Sequence, residues 1–242
     1  MNIVPVHGSA ALHFVDESIL LLSDLHYGVE AEMLRGGVWV PNRSTSRTEK
    51  VLKLLKETKS KKLILLGDIK HQVPHNSKQQ KTDLEQFFMA VTRISEVEIV
   101  PGNHDGGLQD IAPDNVIFHN SKGCVVGNVG LIHGHAWPSQ EVMNSELLIM
   151  GHEHPALSFR DRLDKLHSEP CWLRAPMIEH ERYGNSDFNI IIDCVYKGES
   201  LQEFLDAELV DRGYDDLITV IEVKNGEMKK LYSSYNGEGK YF

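Results

Sequence analysis

Val97-Glu98-Ile99-Val100-Pro101-Gly102-Asn103-His104-Asp105 is an apolar run that stops in a proline-glycine turn and passes at once into an amide, an imidazole and a carboxylate. A strand that ends this way delivers polar chemistry to the edge of a sheet. Gly102 lets the backbone turn tightly where a side chain would clash, so Asn103 and His104 can both point back across the sheet end. An amide oxygen is a neutral metal ligand, an imidazole is a ligand or a proton donor, and a carboxylate one residue later can orient the imidazole. The same residues also suit a polar turn that caps a helix. The rest of the chain separates the two readings.

Upstream, two more apolar runs end alike. Ile19-Leu20-Leu21-Leu22 leads into Ser23-Asp24-Leu25-His26, and Leu63-Ile64-Leu65-Leu66 leads into Gly67-Asp68-Ile69-Lys70-His71. Continuous apolar runs of this length suit strands buried on both faces. Asp24 and His26 are two residues apart, so on an extended backbone they would project to the same side. Residues 12–15 pair with 19–22 as an opening hairpin. The segment 27–47 reads as a polar connection with Gly36, Gly37 and Pro41 as breakers and Arg35, Arg43 and Arg47 as cations; part of it is expected over the site. Residues 45–59, with Val51, Leu52, Leu54 and Leu55, and residues 82–94, with Leu84, Phe87, Phe88, Val91 and Ile94, show helical spacing. Strand, helix, strand, helix, strand is the order of an α/β unit with parallel strands, and ligands bind beyond the carboxyl ends of such strands.

After Asp114 short strands take over, at 116–119, 123–126 and 129–132, the last two joined by Gly127-Asn128, a hairpin signal. Residues 129–132 run into His133-Gly134-His135, and 147–150 run into Gly151-His152-Glu153-His154. Five apolar runs therefore end in the same kind of residue. Further on, 159–166 is charged, 171–173 and 188–193 read as strands, and 218–223 with 228–232 reads as a closing hairpin around Asn225-Gly226. These form a second sheet. No internal repeat or long linker divides the sequence, so residues 1–242 are expected to be one domain.

Composition narrows the classes. An apolar content of 41% with 25% charged residues fits a globular chain, and no apolar run approaches the roughly eighteen residues of a membrane span. The start, Met1-Asn2-Ile3-Val4-Pro5, lacks a basic, apolar signal segment, which leads us to expect a cytoplasmic protein. Cys124, Cys171 and Cys194 are too scattered for a disulfide framework or a thiolate zinc site and are expected as free thiols. A net charge of -10 argues against a broad phosphate-tracking surface, although cations in one cleft would reverse the potential there. Thirteen histidines direct attention to metal.

The strand-end donors are Asp24, His26, Asp68, Asn103, His133, His152 and His154, with no thiolate among them. Seven ligands exceed the needs of one zinc ion, whereas two cations bridged by a carboxylate use this mixture of imidazole, carboxylate and amide. Paired cations suit phosphoester hydrolysis because together they generate hydroxide at neutral pH and hold both attacking and leaving oxygens.

Asp24-x-His26, Gly67-Asp68-x-x-His71, Gly102-Asn103-His104-Asp105, His133 and Gly151-His152-x-His154 together resemble, in order, the motif set of the calcineurin-like metallophosphoesterase superfamily. The features Asp24-Leu25-His26-Tyr27-Gly28 and Pro155 are most similar to small archaeal and bacterial members akin to the DNA-ligase-associated phosphoesterases and the nuclease subunits Mre11 and SbcD. The resemblance spans about residues 19–155. It implies an α/β four-layer sandwich of two mixed β-sheets flanked by helices. It further implies one metal on Asp24, His26 and His154 and another on Asn103, His133 and His152, with Asp68 bridging. His104 is then the general acid and Asp105 holds its tautomer, while His71 and His135 stand either as partners of the ligands or as plain turn residues. The metals are expected to be manganese first, with iron, nickel or zinc as substitutes.

A phosphodiester is the expected substrate. Lys70 is the only cation within the strand-end motifs, too few for a dianionic monoester, whereas two metals and His104 can neutralise a monoanionic diester. Nucleic acid and a second copy of the chain stay open as partners. The alternatives are a non-catalytic binding scaffold of the same fold, which predicts lost ligands where here all are present, and a nuclease subunit working with a DNA-repair partner through Arg35, Arg43, Lys70 and Lys78.

Overall fold

The computed structural model describes residues 1–7, 9–72, 77–160, 163–176, 189–192, 219–224 and 227–233. Its centre is the three runs read from the sequence. Strands β3 (Ile19–Leu22), β4 (Lys62–Leu66) and β5 (Glu96–Val100) lie parallel, in the register Leu20 to Leu63 to Val97. Strands β1 (Ile3–Pro5) and β2 (Ala11–Phe14) extend one side antiparallel, β6 (Ile117–Phe118) closes the other, and the result is a six-stranded mixed sheet.

Alternation along the buried strands builds two cores. Leu20, Leu22, Leu63, Leu65, Val97 and Ile99 face outward to helices α2 (Ser44–Thr58) and α3 (Lys78–Val91), where they meet Val51, Leu55, Leu84, Phe87 and Phe88. Ile19, Leu21, Ile64, Leu66 and Val100 face the other way and pack on Leu131, Ile149 and Trp172 of the second sheet. A strand buried on both faces loses its polar alternation for this reason. The second sheet has seven strands in the order β15, β14, β12, β13, β9, β8, β7. These are β7 (Cys124–Val126), β8 (Val129–Ile132), β9 (Leu147–Met150), β12 (Trp172–Pro176), β13 (Asn189–Ile192), β14 (Thr219–Lys224) and β15 (Glu227–Ser233). On its outer face the short helix α4 (Gln140–Met143) buries Val142 and Met143 against Ile132 and Leu148. Helices, mixed sheet, mixed sheet and helix form the expected four-layer α/β sandwich.

Several details depart from the sequence reading. The 27–47 connection contains a helix, α1 (Val29–Arg35), enclosed between Gly28 and Gly36. Helix α3 starts at Lys78 rather than 82 because the Ser77 hydroxyl accepts from the Gln80 N–H, a cap worth about 1 kcal/mol. The ends of the charged segment 159–166 lie in an antiparallel pair, β10 (Ala156–Arg160) with β11 (Leu166–Pro170), in which Arg160 stands opposite Leu166. The Gly127-Asn128 turn forms as read, with Val126 opposite Val129. Strands β14 and β15 pair antiparallel, while the Asn225-Gly226 turn expected between them lies outside the described residues, as does Cys194. Cys124 and Cys171 are free thiols. Among the described residues no helix is long and apolar enough to cross a membrane.

Candidate active site

The loops after β3 and β4 run side by side beyond the sheet. Asp24 N–H donates to the Gly67 carbonyl at 3.1 Å, His26 to Asp68 at 2.9 Å, Tyr27 to Ile69 at 2.8 Å, and His71 returns to Tyr27 at 2.9 Å. This ladder fixes Asp24 and His26 against Asp68. Neither is extended, contrary to the sequence reading: Asp24, His26, Asp68, His152 and His154 all adopt left-handed backbone, with φ between 45° and 69°. Asp and His tolerate this region better than most residues, and clustered strain of this kind concentrates at functional sites. Each left-handed turn aims its side chain into one cleft.

Two glycines allow the loops to close. A β-carbon at Gly102 would collide with the Asp68 carboxylate, and one at Gly151 would collide with the Ser23 hydroxyl and the Asp24 carboxylate. Gly102 therefore supplies space rather than an unusual φ.

All seven predicted donors reach this cleft, six of them in two adjacent groups, and His26 also belongs to a third group with His71 and His104. Asp24, His26 and His154 have ligand atoms within 4.8 Å of one another, and so do Asp68, His133 and His152. His154 Nε2 is 3.2 Å and His26 Nε2 is 3.9 Å from Asp24 Oδ1. Asp68 stands between the groups, with Oδ2 3.9 Å from His26 Nε2 and Oδ1 3.4 Å from His133 Nε2. Asn103 Oδ1 is 3.3 Å from His133 Nε2.

The chemistry of this set fits divalent cations. His133 Nδ1 donates to the Leu66 carbonyl at 2.7 Å, so its Nε2 is left facing two acceptors, the oxygens of Asp68 and Asn103. Asp24 Oδ1 is buried without a hydrogen-bond partner. Acceptors that converge at separations too long for good hydrogen bonds repel unless a proton or a cation lies among them.

Charge follows the same logic. Burial would raise the Asp68 carboxyl, but the His133 hydrogen bond and charge, with the His104 N–H, outweigh it and hold the pKa at about 2. Burial likewise opposes ionisation of Asp24, and the neighbouring His154, His133 and Ser23 reverse it, leaving the pKa below the usual carboxylate range. Burial pushes His26 down to about 4 against the pull of Asp68 and Asp24, so its ring is neutral, the form that binds metal. His133 shifts upward despite burial, because Asp68 and Asp24 favour its cation. Metal binding there must displace that proton.

His104 lies at the rim, partly exposed, with Nε2 3.9 Å from Asp68 Oδ2 and its backbone N–H on Asp68 Oδ1 at 2.9 Å. The expectation that Asp105 orients this ring is corrected. His104 Nδ1 donates to the backbone carbonyl of His71 at 2.6 Å, while Asp105 accepts from the N–H groups of Ile69 at 2.9 Å, Lys70 at 3.2 Å and Gly102 at 2.8 Å. Its carboxylate braces two site loops from below, and burial pushes its pKa up to about 6 against the Gly102 and Lys70 bonds. His135 packs beside His133 and His152, at ring-centroid distances of 5.3 and 6.2 Å. Sequence reasoning missed Glu32 of α1, whose carboxylate lies 2.8 Å from His71 Nε2.

The calcineurin-like phosphoesterase superfamily domain matches residues 18–173, and the chain belongs to that family. Among solved structures it is similar to the nuclease MPE of Pseudomonas putida, at 16% identity and a TM-score of 0.54 over 100% of both chains. The phosphoesterase YfcE of E. coli aligns at 16% identity and a TM-score of 0.40, covering 75% of this chain and 84% of its own. A zinc complex of Vps29 from Entamoeba histolytica aligns at 12% identity and a TM-score of 0.32, covering 92% and 95%. No curated protein matches the chain.

Proposed function

We propose that this protein hydrolyses phosphodiesters using two divalent cations, manganese foremost, with iron, nickel or zinc as substitutes. The observation that carries the reading is the convergence of potential ligand atoms around Asp68: Asp24, His26 and His154 on one side, Asn103, His133 and His152 on the other. Bound there, the cations would supply Lewis acidity and a hydroxide nucleophile at neutral pH.

The chain's own groups do the rest. His104 acts as general acid: its Nδ1 proton is committed to the His71 carbonyl, so the mobile proton is on Nε2, which faces the cleft and can pass to the leaving alkoxide. Asp68 positions His104 by accepting its backbone N–H. Lys70, the strand-end cation, is fully buried with its ammonium group on the Gln72 carbonyl, and Arg47 is buried against Glu30. Such a cleft favours a monoanionic diester over a dianionic monoester. Likeness to a nuclease makes nucleic acid one diester to test, and we read the whole chain as one domain of this kind.

The test is turnover of bis-(p-nitrophenyl) phosphate and of p-nitrophenyl phosphate by protein stripped with a chelator and reloaded with Mn²⁺. We expect metal-dependent hydrolysis that favours the diester. Absence of turnover with Mn²⁺, Fe²⁺, Ni²⁺ or Zn²⁺ would overturn the catalytic reading, and a monoester rate more than about tenfold higher, some 1.4 kcal/mol, would overturn the diester reading.

A further inference from the structure

Two histidines outside the ligand set, His71 and His104, form a layer behind the ligand His26. His26 and His71 approach through Nδ1 to Nδ1 at 3.2 Å, His71 stacks on His104 with ring centroids 5.4 Å apart, and His71 Nε2 is 2.8 Å from Glu32 Oε2. The contacts fix where protons sit. A carboxylate can only accept, so His71 carries its proton on Nε2, and in that tautomer its Nδ1 is an acceptor. One proton must lie between two ring nitrogens 3.2 Å apart, so it belongs to His26 Nδ1. The Nε2 of His26 is thereby left bare, and this is the atom that lies 3.9 Å from both Asp24 Oδ1 and Asp68 Oδ2.

We propose that Glu32 is a positioning residue for the metal site: through His71 it sets His26 in the tautomer that offers Nε2 to a cation. The inference rests on the metal-site reading above and extends it to helix α1, a segment that carries no ligand of its own. Without the carboxylate, His71 is free to exchange tautomers, and a His71 that donates from Nδ1 forces the proton of His26 onto Nε2, which blocks it as a ligand. Groups that orient metal-binding imidazoles in this way typically change metal affinity by about 10- to 100-fold. The Glu32 side chain is 59% exposed, so its truncation leaves the core untouched.

The test compares Glu32→Ala and His71→Ala with the unaltered chain in two measurements. The first is the ¹⁵N tautomer pattern of His26 in metal-free protein, and the second is calorimetric titration with Mn²⁺. We expect His26 to be protonated on Nδ1 in the unaltered protein and mixed in both variants, with one of two Mn²⁺ sites weakened about tenfold or more and the other unchanged. An unchanged His26 tautomer and unchanged Mn²⁺ affinity in Glu32→Ala would overturn the proposal. The tautomer measurement needs no metal, so it succeeds or fails separately from the phosphoesterase reading, which would fail on the absence of any Mn²⁺ binding by the unaltered chain.

Discussion

Asp105 offers a sharp separation of structural from chemical roles. Its carboxylate is buried and accepts three backbone N–H groups, from Ile69, Lys70 and Gly102, which belong to two different site loops. Each N–H left unsatisfied costs about 1–3 kcal/mol, so Asp105→Ala should lose about 3–9 kcal/mol, towards the low end where water fills the gap. Against a total stability of about 5–15 kcal/mol, that is enough to unfold the site loops or the whole chain. In Asp105→Asn the Oδ1 keeps its two bonds while an amide NH₂ replaces the oxygen facing Gly102. Only one N–H is lost, and the cost should be about 1–3 kcal/mol. Urea denaturation of metal-free protein would rank unaltered chain, Asn variant and Ala variant in falling midpoint. Hydrogen exchange at Ile69, Lys70 and Gly102 would locate the loss. If Asp105→Ala instead keeps its midpoint within about 0.5 kcal/mol while activity disappears, the carboxylate serves the chemistry of His104 directly and the bracing argument is wrong.

Two further outcomes follow. Asp68→Asn should lose bound Mn²⁺ by elemental analysis while His104→Ala retains nearly all of it, with activity falling in both; equal metal loss would contradict the separation of bridging ligand from general acid. In the middle of β5 Glu98 bonds Lys62 and lies 2.7 Å from His119, and these partners overcome burial to hold its pKa below the usual value. A depressed carboxyl pKa stabilises the fold above the unfolded value of about 4.5, and that stability is lost as pH falls through the folded value. Glu98→Gln should therefore cost about 1 kcal/mol at pH 7, discounted because Lys62 is partly exposed, and the difference should vanish in acid. A difference constant from pH 7 to pH 3 would refute the assignment.

Much of this was legible in the residues because it depends on local pattern. Continuous apolar runs marked β3, β4, β5, β8 and β9 with the residues 19–22, 129–132 and 147–150 matching their strands end to end. The polar residues directly after each strand identified the cleft, since parallel strands must deliver their carboxyl ends to one edge. What escaped depends on non-local or backbone partners. The left-handed turns at Asp24 and His26 arise from the ladder to Gly67 and Asp68, forty residues away in a separate loop and invisible in a two-residue spacing. The partner of His104 is a main-chain carbonyl, which every residue carries and no sequence advertises. Helix α1 has only seven residues between two glycines, too few for periodicity to register, so Glu32 stayed hidden with it.

In the proposed site Asp68 stands between two cations, and anomalous scattering from crystals soaked in Mn²⁺ would locate them. Two peaks about 3.5–4 Å apart are expected on either side of the Asp68 carboxylate, one beside Asp24, His26 and His154 and the other beside Asn103, His133 and His152. No peak within ligand distance of Asp68 at saturating Mn²⁺, or a single peak that leaves either group without a metal, would contradict it.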